Sequence, residues 1–468
     1  MNKKKTNGEV FTPHKIINFM LDNTYDPTKM DYILEPGCGD GRFIISLIER
    51  IIKKFGNQHD IINDKISKIY GVELDYENYL LTVLNVEKFL NDYPLITEKP
   101  KILNDDALLS DIHNRIKWSY IVGNPPYVRI HNLDSNYLKI LQNKYEYLKN
   151  GMVDLYYGFF ELHKNLEKNG VLCFITPSSY LYNTSGEILF FDLCEKKLLN
   201  SVIDFTSEKM FDNASTYTCI TTIKKNSEIF IYKKTDKNLK TYFEKKLNFN
   251  EKNTTFLELI QDDKVNKILF KSKFKVKTGF ATLSDKIFVI ENFIDNGDTI
   301  TFIKKGIEYT IEKGITKLCV KASKYNGINN RVIFPYANFD GVNKPITEDD
   351  FLNLYPLAYN YMSIHKTQLM LRDKGKISEE KWFLWGRTQG INNTDGSKII
   401  ISPIYLNNPF TYINQNVLVY SGYYIISESY NELFNDPNFI KSLNFISKPM
   451  ALGWKSLQKK ILDNLYIN

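Results

Sequence analysis

Between residues 9 and 225 the chain alternates short apolar runs with longer stretches whose apolar residues recur at helical spacing. Residues 15–23 read as a helix. Residues 31–34 read as a buried strand that enters the loop Glu35-Pro36-Gly37-Cys38-Gly39-Asp40-Gly41. From 42 to 55 the positions Phe43, Ile44, Leu47, Ile48 and Ile51 fall on one helical face. A second strand follows over 69–74 and a second helix over 77–90. Strands are expected at 101–104 and 120–123, then a helix around 156–167 and a fifth strand at 171–176. Strand–helix alternation of this kind predicts an α/β fold, with a parallel sheet covered on both faces.

The texture changes beyond residue 227. Short β-like runs at 229–232, 286–290, 331–334, 398–401, 417–420 and 423–426 are separated by Asn, Gly, Asp and Lys. Helices are expected only near 352–362 and at the C-terminus. This pattern predicts an α+β module, and the boundary falls between 225 and 250, dividing the chain into 1–240 and 241–468. No internal repeat is visible.

A length of 468 residues suits two or three domains with sizeable cores. Hydrophobic residues make up 43% and charged residues 25%, so disorder is not expected. Sixty-one Lys and Arg against 54 Asp and Glu leave a net charge of +7, which permits an anionic partner without requiring one. Five cysteines (38, 173, 194, 219 and 319) lack CxxC pairing, so neither a disulfide framework nor a zinc site is expected. No apolar run approaches the roughly 18–20 residues of a bilayer span, and no apolar signal core follows Lys3-Lys4-Lys5. A cytoplasmic protein with no membrane partner and no metal is the expectation.

Candidate chemistry gathers at the ends of the predicted strands. In the loop after the first strand, glycines at alternate positions let the backbone turn sharply and let a ligand approach without meeting a Cβ. The spacing is GxGxG, not the GxGxxG that cradles a pyrophosphate, and Glu35 precedes it. A carboxylate there repels phosphate and suits a cationic ligand bearing an amino acid. S-adenosylmethionine (AdoMet), with its sulfonium and ammonium groups, is such a ligand. Glu73 closes the second strand, where an acid accepts hydrogen bonds from ribose hydroxyls; Leu74 follows it. Asp105 and Asp106 close the third strand, and one of them is placed to accept from an adenine amino group. The fourth strand runs into Asn124-Pro125-Pro126-Tyr127. Two prolines remove two amide donors, so the Pro125 carbonyl and the Asn124 amide oxygen can serve as paired acceptors for one planar amino group, beside the aromatic face of Tyr127.

These residues, in this order, resemble the gamma class of DNA adenine-N6 methyltransferases, the TaqI-type enzymes, in which AdoMet motifs come first and the target-recognition domain last. The resemblance runs from residue 8 to about 225. Val10-Phe11-Thr12-Pro13 is similar to the family's N-terminal cofactor-contacting segment, and Gly170 to Pro177 to its next strand motif. The resemblance implies a Rossmann-like domain with a mixed, mostly parallel seven-stranded sheet. It implies AdoMet bound by Phe11, Thr12, Pro13, Glu35, Pro36, Gly37, Cys38, Gly39, Gly41, Glu73, Leu74, Asp106 and Ala107. It also implies catalysis by Asn124, Pro125, Pro126 and Tyr127 on an adenine flipped out of double-stranded DNA. Phe211, in the run 209–215, resembles the aromatic that holds the extruded base from its other side. A cognate restriction endonuclease is the implied partner.

In the second half, Lys273, Lys275 and Lys277 alternate with apolar residues, and on a strand would line one face. Lys275, Lys277, Lys321 and Lys324 are candidate phosphate contacts, which position without specifying. The run 381–390 sets Trp382 and Trp385 beside Arg387 and Gln389, side chains able to make bidentate contacts with guanine and adenine edges. Three other readings stay open at this point: an RNA adenine methyltransferase, a protein glutamine methyltransferase sharing the Asn-Pro-Pro-Tyr corner, and a catalytically silent DNA-binding homologue. The 240 or so residues that follow the core favour a large polymeric target.

Overall fold

A computed structural model describes residues 10–467 apart from 150, 152, 212–215, 250–254, 262–266, 326, 328, 329, 393 and 394. The chain divides into two compact units, Met1–Asp262 and Asp263–Asn468. Among the described residues no helix is long and apolar enough to cross a membrane.

The first unit is built on a nine-stranded sheet. Its strands are β1 (Ile33–Pro36), β2 (Ile69–Glu73), β3 (Lys101–Asn104), β4 (Trp118–Gly123), β5 (Leu166–Pro177), β6 (Leu199–Asp204), β7 (Thr218–Lys224), β8 (Ile229–Thr235) and β9 (Thr241–Asn248). They lie in the order β3-β2-β1-β4-β5-β7-β6-β8-β9. The first five run parallel, β7 is antiparallel to β5 and β6, β8 is parallel to β6, and β9 closes the edge antiparallel to β8. The expected seven strands are therefore nine. The run at 229–232, where the texture of the sequence changes, belongs to this sheet: Ser201 to Asp204 pair in register with Ile231 to Lys234. That pairing carries the first unit past residue 240, to Asp262.

Helices α1 (His14–Thr24), α2 (Arg42–Phe55), α3 (His59–Ile66) and α4 (Tyr76–Leu90) flank the parallel half. The apolar face of α2 buries Phe43, Ile44, Leu47, Ile48 and Ile51 against the sheet. At about 1.5–3 kcal/mol for each such side chain, this burial far exceeds the few tenths contributed by exposed charge pairs on the helix, and it sets where the loop ahead of α2 must sit. Asp75 caps α4 by accepting from the amides of Glu77 and Asn78, which fixes the start of that helix at the end of β2. The expected helix at 156–167 is shorter, Tyr156–Phe160, because a 3₁₀ turn leads directly into β5 at Leu166.

The second unit holds two four-stranded sheets, one of them made of Lys277–Thr278, Tyr423–Ile426, Lys398–Ile401 and Phe410–Ile413. Helices Glu348–Leu354 and Pro356–Ile364 break at Tyr355, just ahead of a proline. Its core includes Phe288, Phe351, Tyr361, Trp382 and Trp385. The expected Lys273–Lys277 strand face is not formed. Phe270–Lys273 is a helical turn and the strand begins only at Lys277, so the three lysines do not alternate along one ladder.

Candidate active site

Parallel strands point their carboxyl ends the same way, so the segments following β1, β2, β3 and β4 meet at one edge. A cavity of about 350 Å³ opens there, within the range of small-molecule sites. It is lined by Phe11, Thr12, Glu35, Gly37, Cys38, Gly39, Glu73, Leu74, Asp106, Ala107, Asn124 and Pro125 from the expected set, and by Pro126 at its side. Four expected cofactor or catalytic residues, Pro13, Pro36, Gly41 and Tyr127, do not line it.

The glycine loop is held from three directions. Glu73 accepts from the Gly39 amide through Oε2 at 2.8 Å and from the Asp75 amide through Oε1 at 2.9 Å. From α4, the Thr82 hydroxyl donates to the Gly39 carbonyl at 2.6 Å and the Asn85 amide to the Asp40 carbonyl at 2.9 Å. Gly39 sits at φ +57°, and a Cβ there would come within 3.3 Å of the Phe11 ring, so only glycine lets the N-terminal segment lie this close. Arg42 ties that segment down. It pairs with Asp40 at 2.7 Å, donates to the Thr12 carbonyl at 3.3 Å and lies 5.2 Å over the Phe11 ring.

The segment in turn reaches the proline corner. The Asn124 amide nitrogen donates to the Val10 carbonyl at 2.8 Å. Its Oδ1 is buried and has no hydrogen-bond partner among the described residues. A buried acceptor left unpaired costs about 1–3 kcal/mol, so the fold holds an oxygen at the cavity edge that calls for a donor. Tyr127 turns its hydroxyl inward to donate to the Ile175 carbonyl at 3.4 Å and packs edge-on against Tyr156. Burial pushes that hydroxyl's pKa up, and the ring is half-buried beside the corner, outside the cavity lining.

Glu35 is 2% exposed and its Oε2 also lacks a partner among the described residues. Burial, and then the charges of Asp40 and Glu73, push its carboxyl well above the ordinary range, with the Ile44 amide offsetting part of this. A cation entering the cavity would offset the charges of Asp40 and Glu73 and favour the ionised carboxylate. The Cys38 thiol is raised in the same way, by burial first. Asp106 accepts from the Leu108 amide and from the Tyr137 hydroxyl.

Phe211 does not reach this cavity. It is 3% exposed within the main core cluster of the first unit, alongside Phe205 and Met210, and the rest of its motif, 212–215, lies outside the described residues. In the second unit Trp385 is a core side chain: it stacks on Phe280 at 4.5 Å and its ring N–H donates to the Ile333 carbonyl at 2.9 Å. Arg387 is exposed and makes a two-pronged pair with Asp373, at 3.1 and 3.0 Å. The Gln389 amide donates to the Gly279 carbonyl at 2.7 Å. Lys275 is exposed, Lys277 half-buried, and Lys321 lies over the Tyr420 ring at 6.0 Å.

Sequence reasoning named Val10 only as the start of its N-terminal segment and missed Arg42, Thr82, Asn85 and Tyr137. Three carried a readable signal. Arg42 directly follows the last loop glycine beside an acid, and Thr82 and Asn85 stand three apart on the helix that caps at Asp75.

The family model of the Eco57I restriction-modification methylases matches residues 54–211. The type II restriction enzyme and methyltransferase RM.Eco57I of Escherichia coli is 25% identical over 509 residues, covering 88% of this chain and 51% of that protein. The chain thus spans about half the length of that relative. The type II methyltransferase M.BanIII of Aneurinibacillus aneurinilyticus is 23% identical over 508 residues, covering 94% of this chain and 83% of the other. Among solved structures, the type IIL restriction-modification enzyme MmeI in complex with DNA shares the fold, with a TM-score of 0.61 at 13% identity over 96% of this chain and 64% of that one. In sequence the chain is similar to these restriction-modification methyltransferases, and it shares the fold of MmeI.

Proposed function

We propose that the chain is an AdoMet-dependent DNA methyltransferase acting on the exocyclic N6 amino group of an adenine in a short duplex sequence, as the modification partner of a restriction endonuclease. The observation that carries this reading is the buried Oδ1 of Asn124, without a partner among the described residues, on a side chain that lines the cavity and whose amide nitrogen is held by Val10. The named relatives favour DNA over RNA or protein as the polymer.

The residues present fit the cofactor. Glu35 is a buried carboxyl with one oxygen unpartnered among the described residues and suited to a cationic amino-acid moiety, Glu73 and Asp106 are acceptors on the next two strands, and a Cβ at Gly39 would crowd the Phe11 ring. AdoMet, when bound, supplies an activated methyl group on a sulfonium. The chain's own contribution is orientation. An adenine amino nitrogen is a poor nucleophile because its lone pair is delocalised into the ring. Accepting its two N–H bonds at Asn124 Oδ1 and the Pro125 carbonyl favours a tetrahedral nitrogen, and both acceptors strengthen as positive charge grows there. Holding the reacting atoms in line is worth up to about 7–11 kcal/mol. No strong base is needed beforehand, since the methylated ammonium is acidic and loses its proton afterwards.

A base inside a duplex cannot enter this cavity and must rotate out, at a few kcal/mol. Stacking on Tyr127 would recover about 1–3 kcal/mol of that. The second unit is assigned target recognition, with exposed Lys275 among the phosphate contacts. The test is transfer of tritium-labelled methyl groups from AdoMet to DNA, RNA and protein offered in parallel, followed by long-read sequencing of DNA from cells expressing the chain. Label in DNA, mapped to adenines in one sequence context, is the expected result; label confined to RNA or protein would overturn it.

A further inference from the structure

The helix α5 (Ser135–Lys144) begins just beyond the proline corner and is capped by Asp134, which accepts from the amides of Asn136 and Tyr137. Tyr137, on its first turn, lines the cavity, and its hydroxyl donates to Oδ2 of Asp106 at 2.7 Å. Oδ1 of Asp106 is taken by the amides of Leu108 at 2.8 Å and Leu109 at 3.3 Å. The carboxyl group is thus clamped from both sides, by its own backbone on one oxygen and by a single hydroxyl on the other. An oxygen accepting one hydrogen bond keeps a second acceptor position, so Oδ2 can still serve a ligand.

Strand order says which part of a ligand that is. At the carboxyl edge the sequence β3-β2-β1-β4 sets Asp106, Glu73, the glycine loop and Asn124 in a row. Neighbouring strands lie about 4.8 Å apart, so three strand spacings, roughly 14 Å, separate Asp106 from the corner. An extended nucleoside whose reactive end reaches Asn124 must set its base at Asp106. A carboxyl group with both oxygens already oriented by donors can only accept there. It therefore favours a base carrying an amino group and leaves a base carrying a carbonyl facing a lone pair.

We propose that Tyr137 is a positioning residue for the purine end of the cavity: by fixing Asp106 it makes the site discriminate an amino-bearing purine from its carbonyl-bearing counterpart. This rests on the reading that the cavity holds AdoMet. The role belongs to the chain's own side chains and is measurable by binding alone, without turnover.

The experiment is calorimetric titration of the full chain with S-adenosylhomocysteine and with S-inosylhomocysteine, which replaces the amino group by a carbonyl. The wild type is expected to prefer the adenosyl ligand by at least about tenfold, because a site built to accept a hydrogen bond rejects an analogue that cannot give one. Tyr137→Phe keeps the ring in the cavity wall and removes the hydroxyl; the preference is expected to fall about fivefold, the worth of one hydrogen bond. Tyr137→His, which restores a donor, should recover part of it. Both ligands are measured on one preparation, so a partly unfolded variant leaves their ratio intact. A ratio unchanged by Tyr137→Phe, or equal affinities in the wild type, overturns the inference and leaves the cofactor reading standing. Failure of the wild type to bind S-adenosylhomocysteine at all removes the cofactor reading itself.

Discussion

Two side chains, Asn124 and Glu35, each keep one buried polar atom without a partner among the described residues, and both residues line the same cavity. Truncating Asn124 removes an acceptor that serves an incoming base and one bond to the Val10 carbonyl, while Arg42 still holds the N-terminal segment at Thr12. Asn124→Ala is therefore expected to lower methyl transfer by at least about a hundredfold while AdoMet affinity stays within about threefold, read by labelled transfer and by calorimetry; normal turnover would exclude the mechanism. Glu35 behaves differently because its carboxyl is raised in the folded state, by burial first and then by Asp40 and Glu73. Between the ordinary glutamate value of about 4.3 and that higher value, the native protein holds a proton the unfolded chain has released, so stability falls as pH rises through this window. Glu35→Gln abolishes this titration. Without ligand, its melting temperature should decline less than the wild type's between about pH 5 and about pH 8, and its affinity for AdoMet should drop about tenfold. Parallel melting curves against pH would contradict the assigned cause.

The loop between β1 and α2 shows what local sequence can and cannot convey. Its glycines announce a tight, ligand-approachable turn, and the helix after it lies where the spacing of Phe43, Ile44, Leu47, Ile48 and Ile51 places it, at Arg42–Phe55. The contacts that hold the turn come from residues thirty to forty-five positions away, Thr12, Glu73, Thr82 and Asn85, and no periodicity reports those. Phe211 and Trp385 illustrate the opposite failure: an aromatic in a suggestive motif looks the same on paper whether it stacks on a ligand or fills a core, and here both fill cores. The loop also yields a test. Gly39→Ala forces a side chain into the left-handed region, costing about 1–2 kcal/mol, and sets its Cβ 3.3 Å from Phe11. AdoMet affinity is expected to fall about tenfold or more with an unchanged circular dichroism spectrum, and retention of full affinity would show that the Phe11 approach is dispensable.

For the whole molecule, two compact units imply two cooperative transitions on heating. The second unit depends on an unusual core cation. Arg372 is 6% exposed and donates to the carbonyls of Leu369, Thr282, Leu384 and Trp382, stitching residues 369–384 to the turn at 282. Burial lowers its pKa to about 10, so at neutral pH it stays charged. Arg372→Met would withdraw its donors from four carbonyls, leaving those of Thr282 and Leu369 a backbone donor each, and cost about 2–5 kcal/mol. Differential scanning calorimetry should show one transition falling by several degrees while AdoMet still raises the other; a uniform shift of both would contradict the division. Strands β6 to β9 were the least legible part of the fold, since their places in the sheet are settled by long-range pairing such as Ser201 with Ile231, not by any pattern within each run. The link between Val10 and Asn124 reaches further than one site. An aspartate at the corner would turn a lone pair toward the Val10 oxygen, 2.8 Å from the atom it replaces. Evolutionary exchange between the two residues is therefore barred to any descendant that keeps this strap, and must wait for a compensating change near the start of the chain.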